Sequence, residues 1–104
     1  MTDIQIANKY VNKAKSSQVR QIEFTLTFTE YKRLLRTTKC WYTGMVLTTH
    51  DPNLASHFTL DRIDASVGYT KANTVACSNY MNQKKRDLTL ADLKMLFKKL
   101  KNRL

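Results

Sequence analysis

The second half of the chain carries an ordered set of polar residues whose types and spacing suit phosphate chemistry. The set begins at Asp61-Arg62-Ile63-Asp64 and continues with Gly68-Tyr69, Asn73, Cys77, Asn82 and Lys85. Carboxylate and amide oxygens are ligands that Mg²⁺ accepts, and the cations of Arg and Lys bind phosphate oxygens. These residue types could hold a divalent metal ion beside a bound phosphate.

Composition also favours a partner that carries phosphate. The 104 residues leave room for one domain, and 18 Lys and Arg against 8 Asp and Glu give a net charge of +10. An evenly basic surface would serve solubility alone, but residues 84–104 hold eight basic residues and two acidic ones. This local excess indicates a binding surface for a polyanion.

Cysteine usage and hydropathy exclude two classes of protein. Two cysteines make no framework of disulfides, and no apolar run is long enough for a membrane span or a signal peptide. With two Gly and one Pro, the chain also has no linker-like segment. We therefore expect a single-domain cytoplasmic protein without a membrane partner.

The N-terminal third is predicted to be helical. Residues 4–19 place Ile4, Ala7, Val11 and Ala14 at helical intervals. Further along, Thr27 and Glu30 form a capping box, which predicts a second helix from Phe28 to Thr37.

The centre is predicted to be strand, strand and helix. Residues 40–48 are rich in aromatic and β-branched side chains and residues 57–63 alternate, so the two segments are expected to form a hairpin. Apolar side chains then recur at helical intervals over 73–86. The predicted fold class is therefore α+β.

A last helix is predicted after a cap formed by Thr89 and Asp92. Its apolar side chains share one face that we expect to be buried: Leu93, Leu96, Phe97, Leu100 and Leu104. Three of its lysines lie away from this face: Lys94, Lys98 and Lys101.

The ordered motifs together resemble an HNH endonuclease, whose fold is the ββα-metal (His-Me finger) fold. The motifs are Cys40-x-x-Thr43-Gly44, Thr59 to Asp64, Gly68-Tyr69-Thr70, Asn73, Cys77 and Asn82-x-x-Lys85. The most similar subtype is a small phage-type one with a Leu-Asp-Arg-Ile-Asp strand and a Gly-Tyr-x-x-x-Asn loop. The resemblance covers roughly residues 20–95. It implies one nuclease domain over 1–104, with a core of about 38–88, a helical extension over 1–37 and a basic C-terminal helix over 89–104.

The resemblance implies a role for each residue of the site. Asp61 and Asn82 would hold one Mg²⁺ or Mn²⁺ ion. Asn73 matches the residue that fixes the catalytic histidine and ties the loop to the strand, and a cap of the following helix is the alternative. Lys85 would meet the phosphate one helical turn after Asn82, unless it is a solvated helix charge. The implied partner is duplex or branched DNA, bound by Arg62, Lys71, Lys84, Lys85 and Arg86.

Arg62 stands where the family has its general base, a histidine. Histidine accepts a proton near neutral pH, whereas arginine remains protonated, with a pKa above about 12. Arg62 is instead expected to grip phosphate through its planar guanidinium group. Catalysis would then need another base or only the metal ion.

Asp64 is the alternative base. Alternate residues of a strand share a face, so Asp64 would point the same way as Arg62. Pairing with Arg62, or ending the strand, is the structural alternative for Asp64. His57 is four residues from Asp61, about 13 Å along a strand, and is expected to be too distant to activate water. Nothing in the sequence fixes the position of His50.

Structural zinc is not expected. Many HNH proteins hold zinc with two C-x-x-C pairs, but here the pairs read Cys40-x-x-Thr43 and Cys77-x-x-Tyr80, which leaves half of the ligands missing. The two cysteines are expected to be buried as small apolar side chains.

Two alternatives to a nuclease remain at this point. The first is a catalytically inactive nucleic-acid-binding protein of the same fold, which the cation at Arg62 favours. The second is a phage protein that inhibits a host protein through its helical flanks. Exposed apolar residues on those flanks, for instance on the first helix, would favour the second alternative. Oligomeric state has no signature in the sequence.

Overall fold

The computed structural model describes residues 1–86 and 88–104, which form an α+β fold. The four helices and two strands follow in the order α1 (Asp3–Val19), α2 (Phe28–Leu35), β1 (Phe58–Arg62), β2 (Thr74–Ser78), α3 (Asn79–Lys85) and α4 (Leu90–Lys101). Within these described residues, no helix combines the length and the apolar composition needed to cross a bilayer.

The first two helices agree with the sequence-based prediction, and local capping explains why. Thr27 accepts a hydrogen bond from the Glu30 amide while the Glu30 carboxylate accepts one from the Thr27 amide, so α2 begins at the predicted residue. The two helices enclose an aromatic core in which the Tyr10 ring meets Phe24, Phe28 and Tyr31 edge to face. The N-terminal helices thus pack as one unit.

The sheet differs from the predicted hairpin. β1 pairs antiparallel with β2, in a register that places Asp61 opposite Val75 and Thr59 opposite Cys77. The predicted partner, residues 40–48, contributes only isolated bridges: Lys39 to Val46 and Thr48 to His57. The expected pairing of 40–48 with 57–63 is therefore wrong, and the partner of β1 follows it in sequence instead of preceding it.

The predicted helix over 73–86 is also corrected, because its first part is β2. All five residues of β2 are buried, so both faces of the strand are covered and the strand shows no alternation of polar and apolar residues. The helix α3 begins only at Asn79, where the Ser78 hydroxyl accepts a hydrogen bond from the Met81 amide. The order is therefore strand, strand and helix, with β2 leading directly into α3.

The loop between β1 and β2 is fixed to the segment that follows α1. The Tyr69 amide donates to the Glu23 carbonyl over 2.8 Å, and the Thr25 amide donates to the Tyr69 carbonyl over 3.0 Å. A Cβ atom on Gly68 would lie only 2.3 Å from the Glu23 carbonyl oxygen, so glycine is required at this close approach. This contact places Tyr69 beneath α1.

The last helix departs most from expectation. Its capping box at Thr89 and Asp92 forms as predicted. However, the face expected to be buried is largely exposed: Leu93 is half-buried, whereas Leu96, Phe97, Leu100 and Leu104 are exposed. The periodicity predicted the helix correctly but not its burial, because amphipathicity does not say whether an apolar face finds a partner.

Candidate functional site

An open groove of about 500 Å³ lies at the end of β1 and brings together residues from both halves of the chain. Its charged side chains and the Asn82 amide come from α1 with its C-terminal cap, from β1 and from α3 with its C-terminal cap: Lys13, Arg20, Asp61, Arg62, Asn82 and Arg86. Three residues predicted for the site, Asp61, Arg62 and Asn82, therefore share one surface. The cations of α1 were not predicted.

Asp61 is buried, and its carboxylate is held from two sides. The Tyr42 hydroxyl donates to Oδ2 over 2.5 Å, and the Lys85 ammonium lies 3.2 Å from the same oxygen. Burial and this hydrogen bond raise the pKa of Tyr42 well above its usual range, so its hydroxyl remains a donor. Tyr42 was missed because it lies 19 residues from Asp61 in a segment with no regular structure.

Lys85 is not on the surface where the sequence-based interpretation placed it. Its side chain is only 1% exposed, and its ammonium donates to the Arg62 carbonyl over 3.0 Å as well as pairing with Asp61. A buried cation needs such partners because its desolvation is costly. Lys85 therefore neutralises and orients Asp61 from inside the fold and is not a solvated helix charge.

Asn82 lines the groove, and its amide nitrogen already has a hydrogen-bond partner. The Asn82 Nδ2 group donates to the Thr59 hydroxyl over 3.1 Å. That hydroxyl donates its single proton to the Cys77 carbonyl, 2.9 Å away, so it can only accept a hydrogen bond from Asn82. The amide oxygen is left for a ligand.

Arg62 is held at the mouth of the groove by the loop that follows β1. Its guanidinium donates to the Ala65 carbonyl over 2.8 Å and lies 5.4 Å from the centre of the Tyr69 ring. These contacts engage one side of the guanidinium group, which has five N–H donors. The remaining donors suit an anion in the groove.

Asn73 has a structural role that accounts for its whole side chain. Its oxygen accepts from the Asp64 amide over 2.9 Å, and its nitrogen donates to the carbonyls of Asp64, Val67 and Gly68 over 3.0–3.2 Å. Asn73 therefore closes the loop between β1 and β2, and it shares the Val67 carbonyl with Arg62, whose Nη1 group lies 3.4 Å from that oxygen. It is not among the residues that line the groove.

Neither Asp64 nor His57 lines the groove. Asp64 caps its own turn by accepting from the Ser66 hydroxyl over 2.6 Å and from the Ser66 amide over 2.9 Å. These bonds hold the pKa of Asp64 below its ordinary value, which weakens it as a base. His57 immediately precedes β1 and forms an isolated bridge with Thr48.

The basic residues predicted to bind nucleic acid occupy different surfaces. Arg86 lines the groove, whereas Lys71 lies in a separate depression beside Glu30 and Arg33. Lys84 is exposed and lies over the Tyr80 ring, 5.6 Å from its centre. Of the cations predicted to bind nucleic acid, Arg62 and Arg86 therefore line the groove.

The groove residues also include Lys13 and Arg20, which the search for motifs missed. They are seven residues apart, so they lie on the same face of α1 two turns from one another. That spacing was a usable signal, but it did not indicate which element the face would meet.

The two cysteines are free and buried. Burial raises the pKa of Cys77 to about 12, so this thiol remains protonated and packs as a small apolar group.

Comparison with protein-family models, curated proteins and solved structures finds no match to this chain.

The oxygen donors in the groove fit a hard divalent cation better than a soft one. Asp61 Oδ1 is 3.5 Å from the Lys85 ammonium, so it is the less engaged carboxylate oxygen, and Asn82 supplies an amide oxygen. Across residues 1–86 and 88–104, no three His, Cys, Asp or Glu side chains cluster as metal ligands. A Mg²⁺ or Mn²⁺ ion, which retains several waters and accepts phosphate oxygens, suits so small a set of protein donors.

Proposed function

We propose that the protein is a divalent-metal-dependent endonuclease of the HNH type that hydrolyses phosphodiester bonds in DNA. The observation that carries the proposal is that Asp61 and Asn82, which both have oxygen donors, line a groove whose other charged side chains, among the described residues, are cations. Oxygen donors for a hard cation beside phosphate-binding groups are what phosphodiester cleavage requires.

The order of the elements supports the same proposal. β1, β2 and α3 follow one another as strand, strand and helix, with Asp61 near the end of β1 and Asn82 in the middle of α3. In the resemblance to a ββα-metal core, a strand and the helix each supply a metal ligand, and here these elements would be β1 and α3. On this proposal the core comprises residues 58–85, which is shorter than the predicted range of about 38–88.

The chain's own residues would bind and orient the substrate. Arg62 and Arg86 would hold the phosphate, while Tyr42 and Lys85 keep the Asp61 carboxylate in one orientation. A bound Mg²⁺ or Mn²⁺ would supply charge neutralisation and a water of lowered pKa. Among the described residues that line the groove there is no histidine, so catalysis would lack the roughly 10²–10⁴-fold that a positioned base contributes.

The proposal is tested by incubating supercoiled plasmid with the protein in Mg²⁺, Mn²⁺ or EDTA. Asn82→Ala is the informative variant, because Asn82 is only half-buried and its loss removes one hydrogen bond from the fold. We expect metal-dependent nicking by the wild type and none by Asn82→Ala, with binding in EDTA unchanged. Asp61→Asn should behave likewise, provided that circular dichroism shows it to be folded.

Arg62 gives a second readout at the same site. Arg62→Ala should lower nicking because a phosphate contact is lost, whereas Arg62→His should raise it by restoring a base. Gln83→Ala, on the exposed side of α3, is the control.

Equal nicking by wild type and Asn82→Ala would overturn the metal assignment.

A nucleic-acid-binding protein without nuclease activity is the second candidate, and the pairing of Lys85 with Asp61 favours it. An ammonium 3.2 Å from Oδ2 already balances the carboxylate charge that a metal ion would otherwise balance. On this alternative, salt-sensitive DNA binding persists while no metal supports cleavage. The plasmid assay therefore separates the two candidates.

A further inference from the structure

The N-terminal helix contributes two cations to the groove, although it lies outside the strand–strand–helix unit. Lys13, on α1, and Arg20, at its C-terminal cap, both line the groove together with β1 and α3. Seven residues of helix rise about 10 Å, so the two side chains leave the backbone at separate points along the groove.

Tyr69 fixes the position of one of these cations relative to Arg62. The Lys13 ammonium lies 4.5 Å from the centre of the Tyr69 ring, and the Arg62 guanidinium lies 5.4 Å from the same centre. The ring is itself held in place by the close approach of Gly68 to Glu23. The fold thus brings like charges from α1 and β1 to one buried aromatic side chain.

Among the described residues, the groove has more positive charge than its carboxylate can balance. Lys85 already pairs with Asp61, the acidic side chain that the described part of the chain contributes to the groove lining. Within residues 1–86 and 88–104, Lys13, Arg20, Arg62 and Arg86 form no ion pair with a carboxylate. Converging cations repel one another, and anions bound between them relieve this repulsion.

We propose that α1 is a second wall of the nucleic-acid site, in which Lys13 and Arg20 bind backbone phosphates that flank the phosphate held by Arg62. The ligand is a polynucleotide strand and not a single phosphate. At a rise of about 3.4 Å per nucleotide, the rise of about 10 Å between the two backbone positions corresponds to roughly three nucleotides. The contacts are to the backbone, so they carry no sequence preference. This inference rests on the proposed function, since it describes the same groove.

The experiment measures binding of a fluorescein-labelled 12-base-pair DNA duplex and its single strand in EDTA, across a series of salt concentrations. It compares wild type with Lys13→Ala/Arg20→Ala. The control is Lys15→Ala/Lys39→Ala, which removes the same charge from exposed residues outside the groove. Lys15 is two residues from Lys13 and points to another face of α1.

Loss of two phosphate contacts should reduce the slope of log K against log salt by about 1.4–1.8 and weaken binding about tenfold or more at low salt. The control should keep the slope of the wild type. Addition of inorganic phosphate at the concentration of the duplex phosphates should not compete, because a single anion does not make the several linked phosphate contacts that a strand makes.

Each contrary result has a distinct meaning. If wild type binds with a steep salt dependence and Lys13→Ala/Arg20→Ala binds equally well, α1 is not part of the site while the proposed function stands. Equal losses in the control and groove variants would show a diffuse effect of net charge and would also overturn the inference. If wild type does not bind DNA, both the inference and the proposed function are wrong.

Discussion

Two Asp–Lys ion pairs have similar N–O distances but differ in how far their side chains are exposed to solvent. Asp61 and Lys85 join β1 to α3 over 3.2 Å with side chains 7% and 1% exposed. Asp3 and Lys32 join α1 to α2 over 3.0 Å with side chains 66% and 25% exposed. The separation of the charges is nearly the same, so the environment decides what each pair contributes to the fold.

Solvent accounts for the difference. Water screens Asp3 and Lys32 and solvates each of them when the other is absent, so an exposed pair of this kind contributes little. Asp61 and Lys85 have lost that water, and each depends on the other to offset its desolvation. The pair near the groove is therefore obligatory, whereas the pair between the N-terminal helices is dispensable.

The largest effect is expected from Lys85→Met, which leaves the Asp61 carboxylate buried without its cation. Removal of one partner of a buried pair costs about 3–5 kcal/mol. The free energy of unfolding, measured by urea denaturation, should fall by that amount. Lys84→Met, the exposed neighbour, should change it by less than about 0.5 kcal/mol.

A second substitution tests whether the unpaired charge is the cause. Asp61→Leu added to Lys85→Met removes the stranded carboxylate and should restore part of the lost stability. If the double variant is as unstable as the sum of the two single variants, the cost comes from lost packing and the proposed contrast between the pairs fails.

A smaller effect is expected from Asn73→Ala, because its network is buried but neutral. The substitution removes four hydrogen bonds to the β1–β2 loop and leaves their partners unsatisfied. The free energy of unfolding, measured by thermal denaturation, should therefore fall by about 2–3 kcal/mol. Asn73→Asp should be no better, because its carboxylate faces the carbonyls of Asp64, Val67 and Gly68. Full stability of Asn73→Asp would contradict the assigned amide orientation.

The smallest effect is expected from Asp3→Asn, which breaks the exposed pair. The hydrogen bond and the charge of Lys32 lower the pKa of Asp3 from its ordinary value of 3.8. A lowered pKa means that the pair stabilises the fold above about pH 4 and that this contribution is lost as the pH falls through the folded-state pKa. The unfolding midpoints of wild type and Asp3→Asn should therefore be close at pH 7 and should converge below pH 3. In 1 M salt they should converge at pH 7 as well.

Features set by neighbouring residues were predicted from the sequence. The capping boxes at Thr27 and Thr89 form because the two interacting groups are three residues apart. Features set by burial were not predicted. β2 was assigned to a helix because a strand covered on both faces has no alternating pattern, and the apolar face of α4 was expected to be buried although it is largely exposed.

The same division holds within the candidate site. The resemblance of the ordered motifs implied that Asp61, Arg62 and Asn82 would share a site, and the groove does bring them together. Spacing did not indicate that Lys85 would be buried, because the sequence of a helix shows which residues share a face but not what covers that face. Tyr42, Lys13 and Arg20 were missed for the related reason that they come from segments distant in sequence.

The sequence by itself determined the helix caps, the excess of basic residues and the order of the polar groups, since each depends on residue type and local spacing. Tertiary structure alone decided which charges lost their water. Asp61 and Lys85 are both buried because β1 and α3 pack together, while α1 closes over Tyr69 and delivers Lys13 to the groove. Desolvation depends on every atom around a group, and those atoms come from the whole chain.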